Sequence, residues 1–218
     1  MSTQTDPVED VRFLFADPTE SVVKTVTKSA DGLRGVLPSS DLIWAHRNDL
    51  DAYSEHTKVT ICSHNPERDH VFEIQLLDAA FFEYRSLVQM VTRREKARIM
   101  NIANNVQNLN ITTHGINQSK KGPFTQARNE LMAEEFDSVE CHGVDSFVFS
   151  SHGTRMANRY PGFTTSNWSN IKREVVKSYD VLAEDIPNAI ANERRSESFR
   201  DCLHEVFMSL KIEDNNLI

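Results

Sequence analysis

Three short clusters in the 218-residue chain carry side chains able to do chemistry: Asp69-His70, Asn108-Leu109 and Asn117-Gln118-Ser119-Lys120. A neutral imidazole, whose ordinary pKa is about 6.5, exchanges a proton with water near neutral pH. Aspartate offers a hard anionic oxygen and asparagine a neutral amide oxygen, both suited to a divalent cation such as Mg²⁺. An ammonium group meets phosphate. A phosphodiester is anionic and repels hydroxide, so its hydrolysis calls for a base, a cation and a means of holding both. Taken singly, each cluster has a plainer meaning. Asp-His reads as an exposed turn or strand edge, Asn before an apolar run as a turn residue, and Asn-Gln-Ser-Lys as the polar end of a helix.

In order and spacing, the stretches RDHVFEIQ and NLNITTHGINQSKKG resemble the core of the HNH (ββα-metal) endonucleases. The resemblance covers less than a quarter of the chain and implies a role for each residue. Asp69 would bind a metal at the end of a first strand. His70, on the opposite face of that strand, would be the general base. Asn108 would open a second strand and orient His70, a supporting task. Asn117 would be the second metal ligand, on the helix that follows. His114, three residues earlier on the same helix face, is a candidate further ligand or a phosphate contact. Lys120, Lys121 and Arg128 are candidate nucleic-acid contacts. The implied activity is endonucleolytic hydrolysis of DNA, with RNA second, using one divalent cation. Mg²⁺ stands first, with Mn²⁺, Ni²⁺ or Zn²⁺ as alternatives, and the products would carry a 5′-phosphate and a 3′-hydroxyl. The alternative is a catalytically silent nucleic-acid- or protein-binding module on the same skeleton. Two departures from the family pattern stand out: Glu73 occupies a position where the family often has Pro, and a long segment separates His70 from Asn108.

The elements that must position these groups follow from local pattern. Lys58 to Cys62 is β-prone, and Asn65-Pro66 marks a turn before the Asp-His pair. Asn108 to Thr112 reads as the second strand. Thr112 or Thr113 can cap the helix carrying Asn117, which Gly122-Pro123 should stop. In the inserted segment, Leu76, Leu77, Ala80, Phe81, Tyr84, Leu87, Val88 and Val91 recur at helical spacing. A second set, Ile99, Met100, Ile102, Ala103 and Val106, follows, so the insertion reads as ordered helix. Ser39, Ser40 and Asp41 resemble an N-cap leading into Leu42-Ile43-Trp44. Further helices are expected at Glu20 to Ser29, Phe124 to Phe136, Ser166 to Ala183 and Glu197 to Leu210. Val11 to Ala16 and Val144 to Ser151 read as strands. Gly153 to Asn167 reads as a loop in which Arg155, Asn158, Arg159 and Tyr160 are either surface residues or substrate contacts.

The expected fold class is therefore α+β, a small ββα-metal core embedded in a mainly helical domain. The expected domain limits are a flexible terminus at 1–10, one domain over 11–212 and a tail at 213–218. Within it the core would span about 58–130, with its helical insertion at 76–106. Twelve Phe and 39% hydrophobic residues are enough for a sizeable core. No run has the length of a membrane span and no signal-peptide pattern opens the chain, so an intracellular location, cytoplasm or nucleus, is expected. Cys62, Cys141 and Cys202 are odd in number and widely spaced, which argues against a disulfide framework and against a Cys-rich zinc site. The net charge of −8 weighs against indiscriminate nucleic-acid binding. Yet cations gather at Arg93, Arg94, Lys96 and Arg98, at Lys120, Lys121 and Arg128, and at Arg155, Arg159, Lys172 and Arg173. Cys62 as a thiol nucleophile and His64 as a neighbour of His70 are minor candidates. His46, His56, His142, His152 and His204 have no partner at diagnostic spacing.

Overall fold

Ser39 opens α1 (Ser40–His46) as its N-cap, accepting a hydrogen bond from the Leu42 amide as its position predicts. The computed structural model describes residues 37–87, 92–132, 144, 158–160 and 163–212. After α1 come α2 (Lys58–Cys62), β1 (Pro66–His70), α3 (Ile74–Leu87), α4 (Arg93–Ala103) and a single 3₁₀ turn (Val106–Asn108). β2 (Leu109–Thr113), α5 (His114–Leu131), α6 (Thr165–Asn188) and α7 (Glu193–Ser209) complete the described elements. The expected elements at Val11 to Ala16 and Glu20 to Ser29, and all of Val144 to Ser151 but Val144, lie outside the described residues. Among the described residues the architecture is α+β: mainly helical, with one two-stranded antiparallel sheet. No described helix is long and apolar enough to cross a membrane.

β1 pairs with β2 antiparallel, Pro66 opposite Thr113 and His70 opposite Leu109. Asn65 enters the strand with φ of 58°, a left-handed conformation that Asn tolerates. α5 leaves β2 directly, capped by Thr113, whose hydroxyl accepts from the Ile116 amide. Thr112, the other expected cap, is buried and donates to Asp51. One small apolar cluster, Ile43, Trp44, Ile61, Leu109 and Ile111, joins α1, α2 and β2. The main core lies among the helices. Phe81 of α3 meets Phe199 of α7 with ring centroids 4.7 Å apart, and Tyr179 of α6 stacks on Phe207 of α7 at 3.8 Å.

The insertion is helical as its periodicity predicts. Leu76, Leu77, Ala80 and Phe81 are buried in α3, and Ile99, Met100 and Ala103 in α4. The side chains of Tyr84, Leu87, Val88 and Val91 lie outside the described residues, as do those of Arg93 and Lys96. Arg94 and Arg98 are exposed. Thr92 and Glu95 form a reciprocal capping box at the start of α4.

Three local expectations are corrected. Lys58 to Cys62 is a short helix, because only Ile61 is drawn into the apolar cluster while Val59 stays 83% exposed. A strand there would bury alternate residues. Asn108 closes the 3₁₀ turn, so β2 begins one residue later. Gly122-Pro123 does not stop α5, which runs on to Leu131 and absorbs the first part of the helix expected at Phe124. Pro123 removes one amide donor. The burial of Pro123, Phe124, Ala127 and Leu131 on one side of the helix outweighs that loss. Thr165–Asn188 extends past both ends of the helix expected there, while Glu193–Ser209 begins earlier than expected and ends with Leu210 as its C-cap.

Phe81→Ala should lower stability by roughly 3–5 kcal/mol, as large-to-small core substitutions do. The measurement is the denaturant midpoint at unchanged slope. A variant as stable as the parent chain would place this ring outside the core.

Candidate functional site

β1 sorts its side chains by strand alternation. Glu67 and Asp69 face α5, while Arg68 and His70 face away from it toward Pro38 and the end of α4. The two members of the Asp-His pair therefore serve different surroundings.

Asp69 is 4% exposed, and its Oδ2 accepts from the Tyr53 hydroxyl at 2.6 Å and from the Lys120 ammonium at 2.7 Å. Lys120 is fully buried and also reaches Glu73 Oε1 at 3.0 Å and the His70 carbonyl. Its three donors are thus all used. The rings of Tyr53 and Phe124 flank it at 5.4 and 5.7 Å. Burial alone would push the Lys120 pKa down, but Asp69 and then Glu73 more than offset it, and the ammonium is held above its ordinary value. The phosphate contact expected of Lys120 is corrected on this geometry, because a sealed ammonium cannot meet a nucleic-acid backbone. Desolvation pushes Glu73 up to about 7 against the pull of Lys120. It also drives the Tyr53 phenol well above its ordinary value, with Asp69 adding to the effect.

Tyr53 owes its place to two further contacts. Asp51, fully buried, accepts from the Tyr53 amide, Ser54, Asn110 and Thr112 and so pins this loop to β2. Asn167 and Asn170 of α6 both donate to the Tyr53 carbonyl.

His70 is partly buried, with Nε2 2.8 Å from Asn104 Oδ1. An amide carbonyl only accepts, so Nε2 carries the proton and Nδ1 keeps its lone pair. Burial pulls the His70 pKa below its ordinary value despite the opposing Asn104 hydrogen bond, so the ring is neutral at pH 7.

Asn108 does not touch that ring. Its Oδ1 accepts from the Phe72 amide at 2.7 Å and Ser178 Oγ at 2.6 Å, and its Nδ2 donates to the carbonyls of Phe72 and Ala103. It therefore clamps the main chain just after His70 to the residue just before Asn104. The orienting role expected of Asn108 passes through the backbone, and the direct contact is made by Asn104. Asn104 is the C-cap of α4, and its place just past an amphipathic helix was the only signal available in the sequence.

Asn117 donates to Glu67 Oε2 at 2.7 Å, and His114 Nδ1 lies 2.5 Å from Glu67 Oε1. Both helix candidates thus meet Glu67, which lies two residues before Asp69 on the same strand face and carries no motif signal of its own in the sequence. Arg128 spends its guanidinium on Asp78, which is 1% exposed, with an Nε distance of 3.0 Å. The expected nucleic-acid contact is corrected there too: this arginine ties α5 to α3. Lys121 is half-buried beside Gln118, Arg159 and Tyr160. Neither Lys121 nor Arg159 has an ion-pair partner among the described residues.

Among the described residues no three His, Cys, Asp or Glu side chains converge into a metal-holding group. Two hard oxygens still accept no hydrogen bond from any described residue, Asp69 Oδ1 and Asn117 Oδ1. Glu67 stands beside the second of them. Oxygens of these types suit a hard divalent cation, and the Lys120 ammonium on the other oxygen of Asp69 opposes one.

Glu73 gives a pH prediction. Its folded pKa of about 7 lies above its ordinary value of 4.5, so its contribution to stability is complete below about 4.5 and lost as pH rises through about 7. Glu73→Gln, which keeps an acceptor for Lys120 but cannot ionise, should therefore gain stability relative to the parent between pH 5 and pH 8. The expected gain is on the order of 2 kcal/mol. Chemical denaturation at the two pH values measures it, and a difference independent of pH would show Glu73 to be an ordinary ionised carboxylate.

Comparison of the chain with protein-family models, with curated proteins and with solved structures finds no match to any of them.

Proposed function

We propose that the chain is a metal-dependent endonuclease of the HNH type that hydrolyses phosphodiester bonds, DNA in preference to RNA. The observation that carries this reading is the assembly of β1, β2 and α5 into one strand–strand–helix unit. Within that unit Asp69 and Asn117 share the strand–helix face, while a neutral His70 occupies the other face of β1. His70 Nδ1 would take the proton from an attacking water, with Asn104 holding the ring and Asn108 holding the backbone on either side of it. Asp69 Oδ1 and Asn117 Oδ1 would hold the divalent cation, with Glu67 as a neighbouring carboxylate. When bound, the cation supplies neutralisation of charge on the scissile phosphate and the leaving oxygen. Lys121 supports the backbone contact expected of the lysines after Asn117.

One observation favours the second reading, a catalytically silent nucleic-acid-binding module. Lys120 already places a positive charge against Asp69 and neutralises part of the attraction a metal would feel.

Plasmid nicking in Mg²⁺, in Mn²⁺ and in excess chelator decides between them. The parent chain should nick only with metal, and His70→Ala should lose about two to four orders of magnitude while staying folded. Full activity in folded His70→Ala would remove His70 as the base. Binding without nicking in every metal would favour the silent module.

Calorimetric titration with Mn²⁺ checks the ligands separately. Asp69→Asn keeps an acceptor for Tyr53 and Lys120 but removes the charge, so it should abolish measurable binding. Asn117→Ala should only weaken it. Unchanged affinity in both would place the ion elsewhere.

A further inference from the structure

The outer side of α5 borders an open cleft of about 450 Å³, lined by Gln118, Lys121, Gly122, Thr125 and Gln126 and flanked on the other side by Arg159 and Tyr160. The five α5 residues follow helical spacing and form one stripe. Gly122 contributes no side chain and leaves the middle of the stripe open. The Tyr160 ring lies over the first turn of α5, where a Cβ on Gly115 would meet it at 4.0 Å. The Arg159 guanidinium is 5.7 Å from the centre of that ring. Among the described residues no carboxylate lines the cleft. Thr125 is committed to Gln75, and Gln126 donates to Glu130, which leaves the Gln126 carbonyl to accept.

We propose that this cleft binds a single unstacked nucleotide, its phosphate between Lys121 and Arg159, its base against Tyr160, and its polar edge toward Gln118 and Gln126. The volume lies within the usual range for small-molecule sites, roughly 300–1,000 Å³, and exceeds what a lone inorganic anion needs. Two cations, with no acid among the described lining residues, select an anion. An aromatic face with two amides selects a planar partner that has hydrogen-bonding edges. A duplex end or an internal base pair keeps its bases stacked, so the cleft favours single-stranded or locally opened nucleic acid. Gln118 follows Asn117 directly in the chain, so the bound nucleotide would lie next to the proposed cation ligands. That link to the phosphodiester bond rests on the nuclease reading, whereas nucleotide binding in the cleft does not.

The experiment is fluorescence anisotropy in excess chelator, which removes cleavage from the measurement. The probe is a fluorescein-labelled single-stranded oligodeoxynucleotide, displaced in separate arms by a nucleoside 5′-monophosphate, ribose 5-phosphate, inorganic phosphate and an unlabelled duplex. The mononucleotide should compete at least tenfold better than either baseless phosphate, and the single strand better than the duplex. Tyr160→Leu should weaken mononucleotide binding by about tenfold, the low end of a base–aromatic stack, and leave inorganic phosphate unchanged. Arg159→Gln should weaken both, while Arg94→Gln, remote on α4, should weaken neither. Equal competition by mononucleotide and inorganic phosphate would overturn the proposal in favour of a simple anion site. Indifference to both Tyr160→Leu and Arg159→Gln would place binding outside the cleft. Intact nucleotide binding in a chain that never nicks DNA would count against the nuclease reading alone. Metal-dependent nicking that survives Tyr160→Leu and Arg159→Gln with unchanged strand affinity would count against the cleft alone.

Discussion

The ammonium of Lys120 is the fixed point around which the described structure is arranged. An ammonium withdrawn from water is costly unless every proton finds a partner, and here the partners all lie within residues 69–73, where β1 gives way to α3. Asp69 stands one residue before the end of β1, the His70 carbonyl ends the strand, and Glu73 stands just before α3. Each is held against α5, which follows β2. One buried charge thereby sets the distance between strand and helix and determines where the chain turns as it leaves the sheet. Tyr53, brought in by Asp51 and the two α6 asparagines, closes the remaining side.

The same desolvation acts with opposite sign on the groups around it. It raises the acids Glu73 and Tyr53 toward their neutral forms and lowers the base His70 toward its own. The interior therefore keeps one ammonium charged while shifting Glu73, Tyr53 and His70 toward their neutral forms. A neutral imidazole with a fixed tautomer is what a proton acceptor requires, and it arises here from ordinary burial and an Asn104 carbonyl, with no carboxylate against the ring among the described residues.

Much of this was legible in the sequence, and the rest was hidden for identifiable reasons. The helices around Phe81, Trp168 and Phe199 were readable because burial imposes a period on the residues themselves. The strand order and the α5 cap were readable because Asn65-Pro66 and Thr113 act within a few residues of where they stand. Lys58 to Cys62 was misread because β-branched residues carry little preference of their own when one contact, at Ile61, decides the geometry. Pro123 was misread because a local penalty was outweighed by burial that only the folded helix reveals. For Lys120 and Arg128, sequence supplies the charge but not its destination, since their partners Asp69 and Asp78 lie far away along the chain. Glu67 and Asn104 were invisible for the same reason, their partners being 50 and 34 residues away.

The two strands are not joined by a turn: α3, α4 and a 3₁₀ turn lie between His70 and Leu109, and the ladder closes that whole span. Closing a long loop carries an entropic cost that a two-stranded ladder alone does not recover. The sheet thus has little reason to form until the intervening helices have shortened the loop and Asn108 has found Phe72, Ala103 and Ser178. In kinetic terms the β1–β2 pairing is expected to form late, after helical packing has gathered the chain, because long-range pairings form slowly. The small catalytic-looking unit is then a product of the helical domain's folding, and its lifetime is tied to that of the helices that enclose it.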